Sequence, residues 1–188
     1  MEDEMSMVET GKKKYTYDDY AKLPEGAPYQ LIGGELVKSP SPTVLHQDII
    51  SALFRKLYPF EDRGKGKVYF APLDVYLSDT ETYQPDLMFI SNERLDIIKE
   101  KNIWGAPDLA MEVLSPGTAY YDLRHKKEVY AEHGVREYWI VDPMERSIEV
   151  YANRDGGFKQ VSFAKQKGRV NSRLFSELTV SIPELFGM

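Results

Sequence analysis

Two periodicities divide this chain. Leu45, Ile49, Leu53 and Leu57, with Ile50 and Phe54, recur every three or four residues along SPTVLHQDIISALFRKLYPF, which puts one apolar stripe on a helix. Ser41 before Pro42 offers a cap and a proline at the first helical position, and Pro59 is expected to stop the helix. SPGTAYYDLRHKKEVYAEHGV predicts a second helix, capped by Ser115 or Thr118 and closed by Gly134. Elsewhere apolar residues run together or alternate, as strands require. YQLIGGELVKS predicts a hairpin turning at Gly33-Gly34, and SIEVYANRDGGFKQVSF another turning at Asp155-Gly156-Gly157. KVYFAPLDVYL and QPDLMFI, separated by the polar SDTETY, are expected to pair as an antiparallel hairpin. APDLAMEVLS and EYWIVDP read as further strands, YDDYAKL and NERLDIIKEKN as short helices, and SELTVSIPELFGM as a short strand with an apolar terminus.

This order predicts an α/β domain, a mixed sheet flanked by helices with a hairpin at each end. The 188 residues suit one domain, residues 15–188, behind a polar flexible leader over 1–14. Composition then removes chemistries. With no cysteine there is no disulfide framework, zinc–thiolate site or cysteine nucleophile, which suits a reducing compartment such as the cytoplasm. No apolar run is long enough to span a membrane, and the polar N-terminus is no secretory signal. A net charge of -6 weighs against broad nucleic-acid binding but permits a basic patch beside an acidic metal site.

One position does not fit its element. Glu112 stands inside the apolar run Leu109 to Leu114, where a carboxylate is costly unless paired. Strand parity puts Asp108, Ala110, Glu112 and Leu114 on one face and Leu109, Met111 and Val113 on the other. Asp108, at the strand's start, can reach solvent on this reading, and a strand-start role suits it better than a ligand's. Asp86 begins the preceding strand after Pro85, so on neighbouring strands Asp86 and Glu112 converge at one end of the sheet. Paired carboxylates repel unless a cation intervenes, and oxygen donors select Mg2+ or Mn2+ over zinc. On the following helix Asp122, Lys126 and Tyr130 recur every four residues, so Lys126 can face Glu112. Two carboxylates, a divalent ion and a lysine make the layout for metal-assisted phosphodiester hydrolysis.

The run PDLAMEVLSPGTAYYDLRHKKEVYAEHGVREYWIVDP, with YQLIGGELVKSPSPTVLHQDII, VYFAPLDVYL and QPDLMFI upstream, resembles the Uma-two family of restriction-endonuclease-like proteins, a branch of the PD-(D/E)XK nuclease superfamily. The resemblance covers roughly residues 15 to 151. It implies a restriction-endonuclease-like core and a Mg2+- or Mn2+-dependent endonuclease acting on DNA. By resemblance Asp86 and Glu112 are the two acids of the motif, joined at the metal by the Val113 carbonyl. Glu35 in GGELV matches an additional acid, and His46 and Asp74 match positions of less defined role. The superfamily's lysine belongs two residues after the second acid, where this chain has Leu114; Lys126 is its expected replacement.

Plainer readings stand beside these. Glu112 and Lys126 can form a purely structural ion pair, Asp122–Lys126 a surface pair, and Lys127 a solvated charge. His46 can be a core-edge histidine, Tyr130 simple packing, and Glu35 an exposed residue after a turn. The fold could also serve a non-catalytic nucleic-acid-binding or assembly module. EYWIVD and IPELFGM are the candidate surfaces for a homodimer, which would suit cutting both strands of a duplex.

Overall fold

The computed structural model describes residues 13–117 and 119–187; most of the expected leader and the Thr118 cap lie outside them. Helix α1 (Tyr17–Tyr20) starts at Thr16, whose backbone N–H donates to Asp19. Strands β1 (Tyr29–Ile32) and β2 (Glu35–Lys38) form the hairpin turned by Gly33 and Gly34, both at positive φ. Helix α2 (Val44–Asp62) buries Ile49, Leu53 and Leu57, the stripe read from the sequence. It starts later than expected, because Thr43 is the residue whose hydroxyl accepts the His46 N–H, at 3.2 Å. It also runs through Pro59, which sits in the last turn, so the donor it lacks costs the helix one bond near its end and the chain leaves the helix within one turn.

The expected hairpin between KVYFAPLDVYL and QPDLMFI forms as something else. Each segment breaks in two and crosses between sheets. The first gives β3 (Gly66–Phe70) and β4 (Val75–Ser78); the second region gives β5 (Glu81–Tyr83) and β6 (Leu87–Ser91). β4 pairs with β5 in one sheet, and β3 with β6 in the other, both antiparallel. The breaks fall at Pro72 and Pro85, which cannot donate to a ladder. A 3-10 segment (Asn92–Ile97) and β7 (Ile103–Trp104) then lead into β8 (Leu109–Val113).

The second long helix is also two: α3 (Ala119–Leu123) and α4 (His125–Glu132), separated at Arg124, whose φ of -126° and ψ of -82° leave the helical region. β9 (Glu137–Asp142) follows, then the hairpin β10 (Ser147–Arg154) and β11 (Gly157–Lys165), turned by Asp155 and Gly156 at positive φ. β12 (Arg169–Asn171), β13 (Thr179–Ser181) and α5 (Ile182–Phe186) complete the fold.

The smaller sheet has the order β2-β1-β5-β4-β7, and the larger β11-β10-β9-β8-β6-β3. β8 and β9 are parallel, joined through α3 and α4, and every other pair in the larger sheet is antiparallel. β8 lies inside this sheet, and its parity holds. Leu109, Met111 and Val113 pack with α2 residues Ile49, Leu53 and Leu57; Ala110 packs on the other side with Val129 and Tyr130 of α4. Glu112 therefore points toward α4. Among the described residues no helix is long and apolar enough to cross a membrane.

Candidate active site

Pro85 ends the ladder of the smaller sheet and hands the chain to the larger one, and Asp86 sits at that transfer. Leu87 pairs with Met111, so Asp86 lies beside the end of β8. Its Oδ2 accepts the Val113 N–H at 2.7 Å, and its own N–H approaches Glu112 Oε2 at 3.4 Å. The two acids are thus locked to each other's strands by backbone donors.

Glu112 is 3% exposed, and Lys126 1%. Glu112 Oε1 accepts from Lys126 Nζ and from the Tyr130 hydroxyl, each at 3.1 Å. Lys126 Nζ also stands 2.8 Å from Asp122 Oδ1 and 5.6 Å from the Tyr83 ring centre. The i,i+4 pair expected on the surface is therefore buried, since Asp122 is 2% exposed. Tyr130 packs at 5.4 Å edge-on to Tyr83, but its hydroxyl is spent on Glu112, so packing is only part of its role.

Two carboxyls, Glu112 and Asp122, thus face the Lys126 ammonium, and Asp86 stands beside Glu112. Burial pushes the Glu112 carboxyl up to about 8; Lys126 opposes the rise, and Asp122 and Asp86 add to it. Burial works against the Lys126 ammonium too, but Glu112 and Asp122 outweigh it and its pKa rises. With two acids on it, Lys126 keeps its charge whichever form Glu112 takes. The excess of carboxyls over the ammonium becomes an excess of negative charge when Glu112 ionises, above about pH 8 or on binding a cation.

His46, near the start of α2, is the residue the sequence placed least well. Its Nε2 lies 3.1 Å from the Val113 carbonyl oxygen and 3.2 Å from Asp86 Oδ2. Burial lowers its basicity, but Asp86, with help from Val113, outweighs that and raises its pKa. A polar residue three positions before Ile49 on the apolar stripe was the available signal. Its two oxygen partners converge on Nε2 itself, so a cation bound by both oxygens would take the place of the imidazole nitrogen. Asp86, Glu112 and the Val113 carbonyl form a hard oxygen donor set suited to a divalent ion. Among the described residues no three His, Asp or Glu side chains gather closely enough to hold a metal by side chains alone, so a backbone carbonyl is needed to complete such a set.

Other expected residues fall differently. Glu35 is exposed at the start of β2, while the buried acid next to that hairpin is Glu81, which the sequence did not single out. Glu81 accepts from the Gly33 N–H at 2.9 Å and from the Tyr83 hydroxyl, and pairs with His125 at 3.0 Å. It ties the hairpin to α4 next to Lys126. Asp74 accepts from Tyr20 and from the Gln84 side chain, each at 2.8 Å, and so anchors the segment leading to Asp86. Asp108 does not reach solvent: it is fully buried, accepting the Ser91 N–H at 2.7 Å and pairing with Arg136 at 3.3 Å. Lys127 is not simply solvated, since its ammonium lies 3.4 Å from the Tyr151 ring centre. The aromatic strand EYWIVD is core, with Tyr138, Trp139 and Val141 fully covered, and Ile182 and Leu185 of the C-terminal helix are buried as well. Those side chains pack within the chain rather than facing a second copy.

No match is found among curated proteins. A crystal structure described as "a putative nuclease belonging to DUF820 from Anabaena variabilis ATCC 29413" aligns with a TM-score of 0.77 at 24% identity, over 92% of this chain and 97% of that one. The two share a fold. The Uma2 family model, described as "Putative restriction endonuclease", matches residues 17–183, which hold both large sheets and every residue of the site; the chain belongs to that family.

Proposed function

We propose that this protein is a divalent-metal-dependent nuclease that hydrolyses phosphodiester bonds in DNA. The observation that carries the reading is the gathering of Asp86, Glu112 and the Val113 carbonyl at the end of β8, where Asp86 Oδ2 and that carbonyl both meet the cationisable His46 Nε2 and Glu112 meets Lys126. Family membership and the shared nuclease-like fold support it.

Asp86, Glu112 and the Val113 carbonyl would hold Mg2+ or Mn2+, which when bound neutralises phosphate charge and lowers the pKa of a water. The remaining work falls to the side chains. Lys126 has three N–H donors, two of them directed to Glu112 and Asp122. The third is left for the attacking water or a phosphate oxygen, where a fixed cation stabilises the transition state. Tyr130 holds Glu112 in place, and before a metal binds His46 Nε2 bridges Asp86 and the Val113 carbonyl, keeping the two donors together. The water oxygen bonds to phosphorus as one ester P–O bond breaks, and the proton the water gives up passes through solvent to the leaving oxygen, so the net change is addition of one water.

Incubation with supercoiled plasmid is the test. Wild type with Mg2+ or Mn2+ is expected to nick it, excess chelator to stop this, and Glu112→Gln to be inactive while keeping the wild-type circular dichroism spectrum. Nicking by Glu112→Gln at the wild-type rate contradicts the assignment. If no condition gives cleavage, the fold is a binding module instead.

A further inference from the structure

Directly after β8 the chain builds one wall of the site, and that wall has an outer side. Asp122 of α3 points inward to Lys126, whereas Tyr120 is 66% and Leu123 41% exposed. Tyr120 and Asp122 are two residues apart, so they sit on nearly opposite faces of the helix. A Cβ on Gly117, just before α3, would stand 3.6 Å from the Pro40 ring, so this wall meets the 39–43 segment that leads into α2 and His46.

The same stretch holds Arg124-His125-Lys126-Lys127, four basic residues in a row within a chain of net charge -6. Three of them are committed. His125 pairs with Glu81, Lys126 with Glu112 and Asp122, and Lys127 lies over Tyr151. Arg124 is exposed and meets no carboxylate among the described residues; its guanidinium lies 5.5 Å from the Tyr120 ring centre. The helix break at Arg124 separates this outward cation from the inward Lys126. An exposed ring backed by an unpaired guanidinium matches a nucleotide, with a π-face for the base and donors for its phosphate.

We infer that Tyr120 and Arg124 form a stacking platform for an unpaired base of the substrate, and that the preferred substrate is single-stranded or frayed DNA. The inference rests on the nuclease reading and narrows its substrate class. Bases inside a duplex offer no free face to Tyr120. The recessed reacting centre agrees, because Glu112 and Lys126 are covered and a thin, flexible strand reaches them more readily than a rigid duplex.

The test is fluorescence anisotropy with labelled oligonucleotides in chelator, so that nothing is cut. Wild type should bind a single strand more tightly than the matching duplex. Tyr120→Ala should weaken single-strand binding by about tenfold and Tyr120→Phe should restore it, because stacking needs only the ring. Arg124→Ala should lower the slope of log affinity against log salt by about one. An abasic strand keeps the phosphates and loses the bases, so it should be insensitive to Tyr120→Ala, a readout that a merely structural tyrosine would not produce. Equal losses on abasic and normal strands, no loss on either, tighter duplex binding, or no binding by wild type each overturn the platform. Plasmid nicking by wild type with Mg2+ reports separately on the nuclease reading. Nicking with a neutral Tyr120→Ala sinks the platform alone; Tyr120-dependent binding without nicking in any metal sinks the nuclease reading and leaves the platform.

Discussion

Two buried glutamates on neighbouring parallel strands face opposite fates. Glu137 begins β9, and Glu112 lies near the end of β8; the register pairs Leu109 with Glu137, which puts Glu137 on the α2 side of the sheet and Glu112 on the α4 side. Glu137 accepts four donors: Trp139 Nε1 at 2.7 Å, the Ser172 hydroxyl at 2.7 Å, and the backbone N–H groups of Arg173 and Leu174 at 2.6 and 3.0 Å. Among the described residues no other carboxylate accepts from these donors. It clamps the segment before β13 to the sheet, and its lone pairs are filled. Glu112 accepts from one ammonium and one hydroxyl on Oε1, has only a long contact on Oε2, and shares its surroundings with Asp86 and Asp122. A satisfied buried acid serves the fold; an acid left short of positive charge is open to an added cation. On the proposed function, Glu137 is buried for the fold and Glu112 for the chemistry.

Breaking the two acids should give opposite results. The largest effect expected is on cleavage: Glu112→Gln should reduce metal-dependent nicking to background while keeping the thermal transition, and retained nicking contradicts the assignment. Lys126→Met follows, with a loss on the order of 10²-fold or more, the usual scale for one transition-state donor. Urea unfolding should show it less stable as well, since Asp122 and Glu112 lose the buried ammonium they share. Glu137→Ala should act the other way. It orphans four donors and should cost about 3 kcal/mol or more, read as a lower urea midpoint, with the activity of the folded fraction unchanged. Reduced specific activity of that folded fraction would blur the division drawn here.

The smallest effect sharpens the same contrast through pH. The folded Glu112 carboxyl titrates at about 8, above its ordinary value of 4.5. A raised pKa means the proton-bound form is favoured by folding. The stability it contributes is complete below about pH 4.5 and is lost as pH rises through about 8. His46, also raised, acts in the same direction. In chelator the melting temperature should fall between pH 5.5 and 8.5, and Glu112→Gln should flatten much of that fall, whereas saturating Mn2+ should oppose it in the wild type. A wild-type profile that rises with pH over this window would refute the assigned protonation.

Much of this site was legible because it obeys strand and helix periods. The parity of β8 separates Glu112 from Met111 and Val113, and the four-residue spacing on α3 and α4 aligns Asp122, Lys126 and Tyr130. Asp86 was legible because Pro85 marks a strand start. What escaped depends on contacts between elements. His46 looked like a member of an apolar stripe, and only the packing of α2 against the end of β8 brings it to Asp86. Asp108 looked solvated because it begins a strand, but Arg136 and the Ser91 N–H enclose it. The single hairpin expected around SDTETY became crossings between two sheets, since local patterning shows that strands pair but not that Pro72 and Pro85 redirect them. Glu81 lay in a segment read as a turn, so its link to His125 had no local signal.

The central claim is that Asp86 and Glu112 share a divalent cation, and titration calorimetry with Mn2+ tests it most directly. The account predicts one site in the wild type, loss of that site in Asp86→Ala and in Glu112→Ala, and its retention in Glu137→Gln. Absence of Mn2+ binding by the folded wild type, or binding unchanged by Glu112→Ala, would contradict it.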